Sequence, residues 1–469
     1  MEPAKEKPTS VCHVVAVPYP GRGHVNPMMN LCKQLASRKP DNILITFVVT
    51  DEWLGFIGSD PKPNNIRFRT LPNIIPSELV RAKDFPGFIE AVTTKLEAPF
   101  EQLLDQLEPP VSVIIADPYL SWDVGVANRR NIPIASLWTM SATVFSIFLH
   151  FDLLLQNRHF PASLSGFGNE VVDYIPGIPP TKTRDLPTFF FGTGQQVLDT
   201  ALNCVSHAAK AQYLLFTSVH ELEPHAIEAL KSKFSFPVYP IGPSIPYLAL
   251  QDKPQSEDAR NLNTNYFQWL DSQPRSSVLY ISLGSFLSVS KSQMEEIIYG
   301  VQNSNVRYLW VIRDDISQFD GVETLDDKGR GLITPWCDQL RVLCHPSIGG
   351  FWTHCGWNST LEAIYAGVPM LTFPIFWDQV PNSKQIVEDW KIGWRAKRNT
   401  LEKDWILIER EEIANIVQRF MDFDNEEVMQ MRRKVEELKI MCRGALTKGG
   451  SSYANLDSFI SDISKINQM

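Results

Sequence analysis

The sequence predicts an α/β chain of two doubly wound domains, each a parallel sheet flanked by helices. Three observations lead there. Short apolar runs alternate with helical patterns along the whole chain, as expected of parallel sheets with crossover helices. The 469 residues exceed the size at which one hydrophobic core stops growing, so two domains are expected. After Pro240-Ile241-Gly242-Pro243, the stretch Leu250 to Asn263 is rich in Gln, Asp, Lys, Glu and Asn and reads as a linker.

The elements follow in order. Candidate strands at 12–17, 43–49, 113–116, 133–137 and 213–217 make the first sheet. Those at 277–282, 308–312, 341–343, 348–351 and 369–373 make the second. The apolar run Ile132 to Leu149 is interrupted by Pro133, Ser136, Thr139, Ser141, Thr143 and Ser146, so it reads as a buried strand entering a buried helix, not a membrane span. The last helix, Tyr453 to Ile466, carries Leu456, Phe459, Ile460 and Ile463 on one face. The boundaries so read are a first domain 1–245, a linker 246–263, a second domain 264–452 and a terminal helix 453–469.

A formal charge of −9 with no basic stripe argues against a nucleic-acid partner. The seven cysteines are scattered, odd in number and without a CxxC, which fits a reducing compartment. The first ten residues, MEPAKEKPTS, lack an apolar core, so no signal peptide is read and a cytoplasmic protein is expected, as a monomer.

Two places carry chemistry. In the first, the apolar run Val11 to Val17 leads into Pro18-Tyr19-Pro20-Gly21-Arg22-Gly23-His24, a strand, glycine loop and helix. A dinucleotide fingerprint is weak here because Asn26 occupies the third glycine position. The carboxylate Asp117 follows the run Val113-Ile114-Ile115-Ala116, at a strand's C-terminal end, where open α/β sheets bind ligands. An imidazole accepts a proton near neutrality, and a carboxylate on its other nitrogen fixes the tautomer.

The second place is Trp336 to Gln379, a window too polar for a packed core. It holds Trp336, Cys337, Gln339, Thr353-His354-Cys355-Gly356-Trp357-Asn358-Ser359, Glu362 and Asp378-Gln379. A helical pattern starts near Ser359, and its first N–H groups suit a diphosphate. Ser359 and Glu362 also have the spacing of a capping box.

This window resembles the signature box of plant family-1 UDP-glycosyltransferases, and landmarks such as Tyr174-Ile175-Pro176-Gly177 and Gly449-Gly450-Ser451-Ser452 extend the likeness over nearly the whole chain. The resemblance implies a GT-B fold, two Rossmann-like domains facing across a cleft, with the C-terminal helix returning to the first. It implies inverting transfer of glucose from UDP-glucose to a hydroxyl of a small apolar acceptor, giving a β-glucoside and UDP. His24 would take the hydroxyl proton and Asp117 would orient it. Trp336 would stack on uracil, and Gln339 and Glu362 would hold the ribose. His354, Asn358, Ser359 and Ser285 would meet phosphates, while Thr139, Trp357, Asp378 and Gln379 would meet the sugar. Gly23 and Cys337 complete the donor set. Asp338 stands where the family has proline, which questions the rigidity of the uracil edge.

Candidate acceptor walls are Tyr119, Phe145, Phe189, Phe190, Phe191 and Phe376; for the three consecutive phenylalanines, plain core packing is an equal reading. No cofactor is expected beyond the UDP-sugar co-substrate. The DxD-like Asp422-Phe423-Asp424 lies amid Asn425, Glu426 and Glu427 and reads as a solvated turn, so no metal site is expected. A pentose donor, UDP-xylose or UDP-arabinose, remains an alternative. A non-catalytic nucleotide-sugar sensor would need neither His24 nor Asp117, and a dehydrogenase would need the missing glycine.

Overall fold

The computed structural model describes residues 11–160, 168–188, 195–250, 266–284, 289–312, 329–396 and 407–466. Ser285, Phe189, Phe190, Phe191 and most of the expected linker lie outside them. The chain forms two compact units. The first takes 1–149, 195–244 and 445–469; the second takes 150–194 and 245–444. Residues 150–194, read from sequence as part of the first domain, group with the second unit.

In chain order the strands begin with β1 (Cys12–Val17), β2 (Ile43–Thr50), β3 (Ile66–Leu71), β4 (Val113–Ala116) and β5 (Ile134–Trp138). A small antiparallel pair follows, β6 (Val171–Val172) and β7 (Thr181–Lys182), then β8 (Tyr213–Phe216) and β9 (Val238–Pro240). Among the described residues, the first unit's sheet has seven parallel strands in the order β3-β2-β1-β4-β5-β8-β9. The second unit adds β10 (Val278–Ser282), β11 (Arg307–Val311), β12 (Gly331–Thr334), β13 (Ile348–Thr353), β14 (Met370–Thr372) and β15 (Gly393–Arg395). Their order is β12-β11-β10-β13-β14-β15. In each all-parallel sheet the order of strand addition thus reverses once, between β1 and β4 in one and between β10 and β13 in the other. Such a switch opens a crevice at the carboxyl ends of the two central strands.

The first core closes with residues far apart in sequence. Val14, Ala16, Ile45 and Phe47 pack with Leu456, Phe459, Ile460 and Ile463, each at most 3% exposed. The terminal helix, Ser451–Ile466, is thus part of that core. Burying a Val, Leu, Ile or Phe side chain of this kind is worth about 1.5–3 kcal/mol. Polar ties hold its register: Arg38 Nη1 donates to Asp457 Oδ1 at 2.8 Å, and Tyr239 Oη donates to Asp462 Oδ2 at 2.7 Å. Among the described residues no helix is long and apolar enough to cross a membrane.

One expected strand is a helix. Residues 341–343 belong to the helix Gln339–Leu343, because the Asp338 side chain accepts from Arg341 N and caps it. Asp338 thereby stiffens this turn by a hydrogen bond where a proline would do so by its ring.

Candidate active site

The first site sits at the β1/β4 switch. After β1 the chain turns through Pro18–Gly21 into the helix Arg22–Arg38, which places His24 in the first turn. The loop lies close under Arg81, whose Nη1 occupies the space a Gly21 side chain would need. Asp117 follows β4, and its N–H extends the ladder to Val17 O at 3.1 Å. Adjacent parallel strands thus bring together two residues separated by 93 positions.

Asp117 Oδ2 lies 2.6 Å from His24 Nδ1, while Oδ1 accepts from Tyr119 N at 3.0 Å. A carboxylate only accepts, so the His24 proton sits on Nδ1 and leaves Nε2 with a lone pair. Among the described residues nothing hydrogen-bonds Nε2. Asp117 is 1% exposed and His24 22%, so the carboxylate is shielded while the ring edge remains open. Thr139 Oγ1, expected at the sugar, stands 3.1 Å from His24 Nδ1. The rings of Tyr19 and Tyr119 flank the imidazole at 5.1 and 5.6 Å. Sequence reading missed Tyr19, although its place in the glycine loop five residues before His24 was a usable signal.

Gly23 has open space where a side chain would stand. Phe145, read as an acceptor wall, is fully buried and packs edge-on against Trp138 and Phe216. It is a core residue, because its helix Ala142–Leu149 is apolar on nearly every face.

The second site sits at the β10/β13 switch. After β13 the loop His354–Gly356 enters the helix Trp357–Ala366, which begins two residues earlier than the sequence suggested. Ser359 therefore lies inside the first turn, and the N-cap residue is Gly356, which has no side chain to cap with. The capping-box alternative is thus not formed. The positive end of this helix suits an anion. Gly284, at φ +94°, and Gly356 make room for His354: a Cβ on either would come within 2.8 or 2.5 Å of its Nε2.

Beside them, Gln339 Nε2 donates to Glu362 Oε2 at 2.7 Å and reaches Ser359 Oγ at 3.0 Å. Tyr280 Oη donates to Gln339 Oε1 at 3.1 Å and lies 3.3 Å from Cys337 Sγ. Cys337 is thus held inside this network, while Trp336 presents its ring at 49% exposure. Burial pushes the Glu362 carboxyl up to about 7, against the lowering effect of its bond to Gln339.

The loop after β14 closes on itself. Gln379 Oε1 accepts from Ile375 N at 2.8 Å and Phe376 N at 2.9 Å. Only its amide hydrogens are then left for a ligand. Asp378 Oδ2 accepts from Asn382 Nδ2 at 2.7 Å, and the same nitrogen donates to Cys355 O at 3.0 Å. Trp357 is 3% exposed, and its indole N–H has no acceptor among the described residues. Phe376 is half-buried against the second core. Asp422 Oδ1 accepts from Asp424 N at 3.1 Å, the geometry of a local turn.

The family model for "UDP-glucoronosyl and UDP-glucosyl transferase" matches residues 203–431. The chain is 56% identical over 468 residues to UDP-glycosyltransferase 87A2 of Arabidopsis thaliana, covering 100% of each. It is 33% identical to 7-deoxyloganetin glucosyltransferase of Catharanthus roseus, covering 96% of each. The crystal structure of UGT71G1 from Medicago truncatula, complexed with UDP-glucose, superposes with a TM-score of 0.80 at 27% identity, covering 97% of this chain and 98% of that one. A UDP-glucosyltransferase from Polygonum tinctorium capable of glucosylating indoxyl gives 0.79 at 27% identity, covering 97% and 99%.

Proposed function

The chain belongs to the plant family-1 UDP-glycosyltransferases, with the GT-B pair of parallel-sheet domains, and from that premise we propose inverting transfer of glucose from UDP-glucose to a hydroxyl of a small apolar acceptor. The observation that carries this reading is the His24–Asp117 pair, with a shielded carboxylate on Nδ1 and an Nε2 that nothing among the described residues hydrogen-bonds.

In the proposed step the acceptor hydroxyl gives its proton to His24 Nε2. Its oxygen forms a bond to the anomeric carbon from the side opposite UDP. The bond from that carbon to the β-phosphate oxygen breaks, and its electron pair leaves with UDP. Asp117 stabilises the imidazolium that results. Negative charge grows on the β-phosphate, so donors aimed there act in the transition state. His354, Asn358, Ser359 and the positive helix end fill that role, with Ser285. Trp336 stacks on uracil, and Gln339 with Glu362 holds the ribose. Trp357, Asp378, the Gln379 amide and Thr139 meet sugar hydroxyls, and Gly23 completes the donor set. Tyr19 and Tyr119 form apolar walls next to the base.

Support for glucose comes from the UDP-glucose bound by the Medicago protein and from the glucosyltransferase name of the Catharanthus relative. The test is an endpoint assay by mass spectrometry with UDP-glucose, UDP-xylose and UDP-arabinose, a panel of phenolic and terpenoid alcohols, and EDTA. A product heavier than its acceptor by one hexose residue supports the reading. Product from a pentose donor alone would overturn the sugar and keep the mechanism. UDP binding without product from any donor would favour the sensor.

A further inference from the structure

A side chain distant in sequence fixes the backbone just before Asp378 and Gln379. Trp377 adopts φ +64°, a left-handed conformation rare for a bulky residue and held only where the surroundings over-determine it. Its N–H donates to Thr188 Oγ1 at 2.9 Å, and its carbonyl accepts from Thr188 N at 3.4 Å. Trp377 is 9% exposed, so water is a poor substitute for that acceptor.

Thr188 is itself anchored. Asp185, fully buried three residues earlier, pairs with Arg395 of β15 at 3.2 Å, and Arg395 also pairs with Glu388 at 2.9 Å. The loop from Ile375 to Gln379 is thus clamped twice: internally by Gln379 Oε1 and externally by Thr188.

We propose that Thr188 is a positioning residue for the sugar of the donor. By holding Trp377 in the left-handed conformation it aims the Asp378 carboxylate and the Gln379 amide, and so sets the discrimination between hexose epimers. This rests on the reading that those two side chains meet sugar hydroxyls. The diphosphate and uridine contacts lie on other elements, the helix Trp357–Ala366 and the Trp336–Gln339 turn. Losing the Thr188 hydroxyl should therefore change sugar selectivity and leave UDP recognition intact.

The experiment uses the full chain and reads two quantities: the ratio of kcat/KM for UDP-glucose over UDP-galactose, and the inhibition constant of UDP. Thr188→Val keeps the shape and removes the acceptor; Thr188→Ala serves where the valine variant does not accumulate. The ratio should fall about tenfold, the equivalent of ~1.4 kcal/mol, while UDP inhibition stays within about twofold. Thr188→Ser should behave as the parent. A parent-like ratio in Thr188→Val, a parallel shift of UDP inhibition, or a serine variant as poor as the valine would each overturn the proposal. Asp378→Asn separates the two layers. If it leaves the ratio unchanged, the sugar reading of the loop fails and the role of Thr188 with it. If it collapses the ratio while Thr188→Val does not, only Thr188 is wrongly assigned.

Discussion

Gln339 and Glu362, on different helices, are joined by a 2.7 Å hydrogen bond from amide to carboxyl. The bond orients the carboxyl, and burial makes its charged form costly, so its pKa rises from 4.5 to about 7. A ligand offering two hydroxyls would be accepted best by the ionised form. UDP affinity is therefore expected to weaken as pH falls below about 7 and to level off above it. Calorimetric titration from pH 5.5 to about 8.5, a range bracketing that raised value, checks this. Glu362→Gln should bind weakly with a flat profile.

The same shift has an opposite effect on stability. Between 4.5 and about 7 the native carboxyl retains a proton that the unfolded chain has lost. The native state then binds more protons, and stability falls as pH rises through that window. Unliganded Glu362→Gln is accordingly expected to melt higher than the parent at pH 8, as read by thermal denaturation without UDP.

His24→Ala and Asp117→Asn are expected to lower kcat by about 10²–10⁴-fold, the usual worth of general base catalysis. UDP affinity should be little changed in both. Retained turnover in His24→Ala would remove His24 as the base.

Gly356→Ala would drive a methyl group into His354 Nε2, and overpacking of this kind costs about 1–3 kcal/mol. Donor KM should rise, with the acceptor KM steady. An unchanged donor KM would show that His354 can move without consequence.

The proposed sugar contact of Gln379 and its bonds within the loop can be separated by a pair of substitutions. Gln379→Glu keeps an oxygen for Ile375 N and Phe376 N but loses the amide hydrogens, so the melting temperature should hold while donor kcat/KM drops. Gln379→Ala leaves both backbone donors without their acceptor, a loss of about 1–3 kcal/mol for a buried group, and should reduce both.

The central strands of both sheets were legible because β1, β4 and β10 are short, buried and apolar. Their edges were not. In β3 the arginines Arg67 and Arg69 interrupt the apolar signal, and only Ile66 and Leu71 are fully buried. β12 and β15 span four and three residues beginning at glycine, too brief for a period to emerge. The apolar residues of 341–343 suggested a strand because the local pattern does not weigh the cap at Asp338. The pairing of His24 with Asp117 was implied by the family resemblance, and the 2.6 Å contact agrees with it. The tie from Thr188 to Trp377 could not be anticipated, since no local pattern announces a bond between positions 189 apart in sequence. For the same reason Phe145 was misread: an aromatic in a hydrophobic helix gives no sign of which side faces a cavity.

Because Leu456, Phe459, Ile460 and Ile463 complete the core that Val14 and Ala16 begin, the first unit is started early in synthesis and finished late. A ribosome must translate every strand of the second unit before the final helix emerges. Until then, the apolar face awaiting Phe459 stays exposed to other nascent chains and to chaperones. Domains usually mature in order from the N-terminus; here every strand of the second unit is synthesised before the helix that completes the first unit's core.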